Sequence, residues 1–223
     1  MTAAPLLELP AGPRSAALTL AAGDSVALLS GEASGKTRLL YHLAGLENSG
    51  LPPALWSGRS PDGFRGAARP AHLRLWPTEP ADHFLGLTGT ASTALALGRS
   101  FLDPADLSWL EALQAAGLPP EAAQGSWLRL SGAERHRLFL AGVLLAPPRV
   151  LLVDEPGACL SESGETTLAQ QLAHLCHSRG MALLLVTSRR QRAQLFAHRV
   201  LPLPGAVADF PLTPAPAGAT PSS

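Results

Sequence analysis

The 223 residues carry 17 basic and 17 acidic side chains, so the net charge at pH 7 is zero and no long-range field draws the chain to nucleic acid or anionic lipid. Apolar residues make up 46%, enough for one well-buried domain or two small ones, yet runs such as VLLV and ALLLV fall far below the roughly 18 residues that cross a bilayer. Cys159 and Cys176 are too few for a disulfide framework, and Glu8 stands where a signal peptide would be basic, which together predict a soluble cytoplasmic protein.

In chain order, SVALL at residues 25–29 predicts a short buried strand, and the small residues 30–35 predict a turn. KTRLLYHLAGL then predicts a helix with Leu39, Leu40, Leu43 and Leu46 on one face. Strand, small-residue turn and helix form a phosphate-binding arrangement, because the turn's N–H groups and the positive helix end point at an anion. In this reading Lys36 contacts the β- and γ-phosphates and the Thr37 hydroxyl ligates Mg²⁺. Lys36 is the sole lysine beside sixteen arginines, and a compact ammonium fits a tight loop better than a planar guanidinium. The strict pattern G-x-x-x-x-G-K-[ST] is not met, since Ser30 takes its first position, so an ordinary strand-to-helix turn stays open here.

Further along, Trp109 and Trp127 flank LEALQAAGLPPEAAQGS and are expected in the core of a helical region. In LRLSGAERHRLFLAGVLLAPP, residues 128–148, Ser131 and Glu134 form an S-x-x-E capping box, so a helix begins there with free N–H groups, a second anion site or simply a well-capped helix. RVLLVDEPGACLS, residues 149–161, has the apolar run of a strand buried on both faces and ends in two carboxylates. Asp154 is placed to serve Mg²⁺ and Glu155 to orient or deprotonate water, in the crevice where open α/β sheets bind ligands. ALLLVTS, residues 182–188, reads as another strand, followed by Arg189, Arg190 and Arg192 as a solvated helix face. His174, Cys176 and His177 lack a second ligand cluster for zinc, and the Pro/Ala-rich residues 204–223 read as a disordered tail.

The order SGEASGKT, LSGAERHR, VLLVDEP resembles the nucleotide-binding domain of ABC ATPases, over about residues 15–205. LAGVL at 140–144 and PTEPADHFLG at 77–86 look most like the energy-coupling-factor and cobalt-type importers of that family. The resemblance implies a three-layer α/β fold of the P-loop NTPase type over residues 1–203. Its sheet would be mainly parallel, with an antiparallel β part near the N-terminus, whose last strand AALTLAAGDSVALL could supply, and a helical subdomain at about 90–135. It further implies that Ser30, Gly31, Glu32, Ala33, Ser34, Gly35, Lys36, Thr37 and Arg38 cradle ATP, that Thr37 and Asp154 serve Mg²⁺, and that Glu155 is the base. Two such domains would face head to tail on the inner face of the cell membrane, with Ser131, Gly132, Ala133 and Glu134 meeting the γ-phosphate held by a second ATPase subunit, same or different, beside an integral membrane subunit and with no nucleic acid.

Four positions depart from the family pattern. Ser188 takes the place of a γ-phosphate-contacting histidine, and Thr78, or Pro77 in a shifted alignment, takes that of a Mg²⁺-sensing glutamine. Before Trp56 the only aromatic residue is Tyr41, inside the helix, so the adenine-stacking ring is missing, and Ser161 stands where Asp is usual. These departures leave three readings: slow turnover at this chain's own site with Ser131 serving a partner, full activity with Ser188 and water replacing the histidine, or a nucleotide-dependent regulatory module without a transporter. A small P-loop kinase fits the length but leaves LSGAERHR unexplained.

Overall fold

A computed structural model describes residues 4–11, 17–31, 35–66, 68–78 and 88–203. Strands β1 (Leu7–Leu9) and β2 (Leu18–Leu20) lead into β3 (Ser25–Leu29), and helix α1 (Lys36–Leu43) follows as its spacing predicts. Leu39, Leu40 and Leu43 are buried, but the helix stops short of Leu46, which is 54% exposed beyond the left-handed Gly45. Strand β4 (Leu55–Trp56) pairs antiparallel with β1, which also pairs with β2, giving the three-stranded order β2-β1-β4. The antiparallel part thus exists, and Leu18–Leu20 belongs to it, but Leu55–Trp56 closes it in chain order.

Helix α2 (Ala68–His72) leads into β5 (Leu73–Trp76), and α3 (Gly89–Ala96), α4 (Leu107–Ala116) and α5 (Pro120–Gln124) then build the expected helical region. Helix α6 (Gly132–Leu145) begins on Ser131 with both arms of the capping box formed. Trp109 is fully buried among these helices, while Trp127 is partly buried against the same core. Strand β6 (Val150–Asp154), helix α7 (Glu162–Arg179), strand β7 (Ala182–Thr187), helix α8 (Arg190–Phe196) and strand β8 (Arg199–Pro202) complete the chain order.

The larger sheet has the order β5-β6-β7-β3-β8, every pair parallel. Successive residues of β6 and β7 alternate between two apolar clusters: Leu151, Val153, Leu183 and Leu185 join one, Val150, Leu152, Leu184 and Val186 the other. That alternation explains the unbroken apolar runs, because both faces are covered. The first cluster includes side chains of α4, α6, α7 and α8, and the second includes those of α1 and the antiparallel sheet, so the sheet is the middle of three layers. The expected stretches Glu32–Ser34, most of PTEPADHFLG and the 204–223 tail lie outside the described residues.

Candidate functional site

The C-terminal ends of β3, β6 and β7 are neighbours, because Leu29 pairs with Thr187 and Asp154 with Val186. Ser30 leaves β3 with its N–H still donating to the Thr187 carbonyl. The chain turns into α1 through Gly35 at φ +81°, a left-handed conformation that glycine adopts without Cβ strain. Gly35 at the N-cap has no side chain to cap this helix, and an uncapped helix start offers its first N–H groups to an anion.

Lys36 reaches back toward the end of β3: Nζ donates to the Gly31 carbonyl at 3.1 Å and lies 3.7 Å from Glu155 Oε1. Thr37 Oγ1 donates to Asp154 Oδ2 at 2.6 Å, and Asp154 is buried at the end of β6. Two oxygens side by side suit a hard divalent cation such as Mg²⁺. Arg38 stays exposed and pairs with Glu47 at 2.6 Å, so its side chain turns to α1's own C-terminal loop rather than to the turn it follows.

Glu155 sits just past β6 with φ +48°, one of two non-glycine residues in the left-handed region among those described. Such a conformation is uncommon for a side chain with Cβ and marks a position fixed by its surroundings. Oε1 accepts the Ser188 N–H at 2.8 Å, and Oε2 accepts the Thr187 hydroxyl at 2.7 Å. Burial opposes the charged form, but hydrogen bonds from Thr187 and Ser188 and the Lys36 ammonium outweigh it, holding the carboxyl below its usual value. The group is therefore an ionised acceptor at neutral pH.

Arg192 corrects the sequence reading. It is 5% exposed, not solvated, and bonds Glu155 Oε2 through Nη1 at 3.2 Å and Glu165 Oε1 through Nη2 at 2.6 Å. Arg189 and Arg190 are exposed, as expected of the whole run. Thr187 and Arg192 are the site residues that motif reading missed. Thr187 was adjacent to the expected Ser188, whereas nothing in the run of arginines distinguished the buried one.

Ser188 is exposed; its N–H donates to Glu155 Oε1 at 2.8 Å and its side chain also interacts with that carboxylate. Thr78 is exposed two residues beyond Trp76, which pairs with Val153, and it makes no hydrogen bond or ion pair among the described residues. Ser161 caps α7 by accepting the Gly164 N–H at 3.3 Å. Tyr41 packs against the core rather than offering a free ring. Cys176 is buried, which pushes its thiol up to about 11, and no cluster of metal-binding side chains occurs among the described residues.

Ser131 and Glu134 bond each other: Glu134 Oε2 accepts from the Ser131 N–H and hydroxyl at 2.8 Å each, and the Glu134 N–H donates to Ser131 Oγ at 3.3 Å. Gly132 approaches Cys159, whose Sγ would lie 3.5 Å from an added Cβ. Lys36, Thr37, Asp154 and Glu155 are thus gathered in one place, and the capped start of α6 forms a separate unit.

The ABC transporter family model matches residues 14–158. Thiamine import ATP-binding protein ThiQ of Cereibacter sphaeroides is 30% identical over 200 residues, covering 86% of this chain and 83% of that protein. Aliphatic sulfonates import ATP-binding protein SsuB 2 of Nocardia farcinica is 34% identical over 189 residues, covering 83% and 71%. Energy-coupling factor transporter ATP-binding protein EcfA2 of Bacillus anthracis is 35% identical over 91 residues, covering 41% and 31%. In fold, a dimeric ATP-binding cassette in a post-hydrolysis state with ADP and phosphate superposes with a TM-score of 0.71 at 19% identity, over 88% of this chain and 93% of that one. The cbiO1 structure from Clostridium perfringens gives 0.68 at 18%, over 89% and 84%. Family match, long relatives and fold agree: the chain belongs to the ABC transporter family, as one of its ATP-binding ATPase subunits.

Proposed function

We propose that the cassette over residues 1–203 binds Mg-ATP at Ser30–Arg38 and hydrolyses it with Glu155, working as a head-to-tail pair beneath an integral membrane subunit on the inner face of the cell membrane. The observation that carries this reading is the convergence of Lys36, Thr37, Asp154 and Glu155, with Thr37 2.6 Å from Asp154 and Lys36 3.7 Å from Glu155. Lys36 and the free N–H groups of α1 bind the phosphates. Thr37 and Asp154 hold Mg²⁺, which when bound draws charge off the phosphate oxygens, and Thr78 lies at the same end of the sheet as a candidate for its outer sphere.

Glu155 accepts a proton from, or aligns, the attacking water, for which its ionised form is required. Ser131–Glu134 caps its own helix without touching Lys36, which supports a role toward the phosphate held by a second subunit. The relatives' names span thiamine, sulfonate and energy-coupling systems, so the nucleotide half is common to them and the cargo is selected elsewhere.

Phosphate release under saturating Mg-ATP, followed over a range of protein concentrations, tests the reading. A rate per chain that climbs with concentration and is lost in Lys36→Ala and Glu155→Gln is expected. Equal rates in wild type and Glu155→Gln would remove Glu155 from the mechanism.

A further inference from the structure

Arg192 is a guanidinium buried between two carboxylates of different elements. Nη1 reaches Glu155 on the loop after β6, Nη2 reaches Glu165 on α7, and Nε has no hydrogen-bond partner. A buried charge survives only when paired, and either carboxylate alone would supply a partner. The second contact needs a reason, and the geometry at Glu155 offers one.

The two oxygens of Glu155 are used differently. Oε2 is saturated by Thr187 Oγ1 at 2.7 Å and Arg192 Nη1 at 3.2 Å, both on the β7–α8 side. Oε1 takes the Ser188 N–H at 2.8 Å, the Ser188 hydroxyl also lies against the carboxylate, and Oε1 is 3.7 Å from Lys36 Nζ. Gly157 makes room for the outer anchor: a Cβ there would fall 2.7 Å from Glu165 Cγ, and its φ of +74° already disfavours other residues. Glu165, Arg192 and Glu155 therefore form a line that ends on one carboxylate oxygen and leaves the other turned to the phosphate loop.

We infer that Arg192 is a positioning residue for Glu155: it pins Oε2, so that Oε1 is the oxygen presented to water and the γ-phosphate, and Glu165 holds the guanidinium in place. The inference rests on the reading of Glu155 as the group that works on water. Arg192 touches neither nucleotide nor metal in this role, so its loss should slow turnover without weakening ATP binding.

The test is steady-state phosphate release by the full chain, with KM for ATP and the urea unfolding midpoint measured on the same preparations. Arg192→Met should lower kcat by about tenfold to a hundredfold, the scale of losing one well-placed contact, with KM changed by less than about twofold. Arg192→Lys should recover part of the loss, since an ammonium can reach one carboxylate but not bridge two. Glu165→Gln should fall between Arg192→Met and wild type, and Arg190→Met, an exposed neighbour, should match wild type.

Unchanged or faster turnover in Arg192→Met overturns the inference. So does a loss of kcat that comes with an equal rise in KM and a collapsed unfolding midpoint, which would make Arg192 a brace only. If Arg192→Met fails to fold, Arg192→Lys and Glu165→Gln decide it: lowered kcat at constant KM supports positioning, and wild-type kcat in both overturns it. Glu155→Gln run alongside separates the two levels, because turnover equal to wild type there removes the base itself, and with it anything for Arg192 to position.

Discussion

An ammonium on a thin stem can bend back past its own helix start, and Lys36 does so, reaching the Gly31 carbonyl while remaining 12% exposed at its side chain. A guanidinium is broader and donates in a fixed plane, so it cannot occupy the same space between Gly31 and Glu155. Lys36→Arg should accordingly weaken ATP binding by about tenfold or more, roughly 1.4 kcal/mol, although the charge is kept. Titration with a fluorescent ATP analogue checks this, and wild-type affinity would mean that charge alone is read. Lys36, Thr37, Asp154 and Glu155 were legible because each stands at a fixed offset from a strand end. Arg192 was not, because three arginines within four residues look alike until α8 is docked and one of them is drawn under Glu155.

Among elements, α6 and β5 make opposite cases. The cap of α6 could be read from Ser131 and Glu134 alone, since its hydrogen bonds run between residues three apart. Those bonds hold the Glu134 carboxyl below its ordinary value of 4.5. A depressed folded-state value contributes stability that is present above the unfolded value and lost as pH falls through the folded one. The stability gap between wild type and Glu134→Gln should therefore be full at pH 7 and shrink below about pH 4.5, as read by urea unfolding at a series of pH values.

Strand β5 gave no such signal, because LRLW carries an arginine that sequence alone would place in solvent. Arg74 is instead buried, with Nη1 bonded to the Gly142 carbonyl at 2.8 Å and both Nε and Nη2 unpartnered, and burial pushes the guanidinium down to about 9. An incompletely paired buried charge costs more than it returns. Arg74→Met, which keeps the length and removes the charge, should raise unfolding free energy by about 1 kcal/mol in the isolated chain. A loss of stability would show that the Gly142 bond outweighs desolvation. Strand β4 escaped sequence reading for a simpler reason: two residues carry no periodicity, and only pairing with Leu7 and Glu8 makes Leu55–Trp56 a strand.

At the scale of the whole molecule, the layered fold was legible in the two apolar runs, each four or more residues long, that became β6 and β7. How one cassette meets another was not, since the chain bonds Ser131 to Glu134 and Lys36 to Gly31, with no hydrogen bond between the two units among the described residues. In the proposed head-to-tail pair, each site would be made from the loop of one subunit and the α6 start of the other. Two differently damaged chains can then repair each other. Lys36→Ala spoils a chain's own loop, and Ser131→Arg spoils what it offers its partner, so each variant alone should release no phosphate. Mixed in equal amounts, about half of randomly formed pairs contain one of each, and one of the two sites in such a pair is intact. Phosphate release should return to about a quarter of the wild-type rate if the sites work independently. No recovery, with pairs shown to form, would mean that both groups serve one chain's own site or that a different cassette is the working partner.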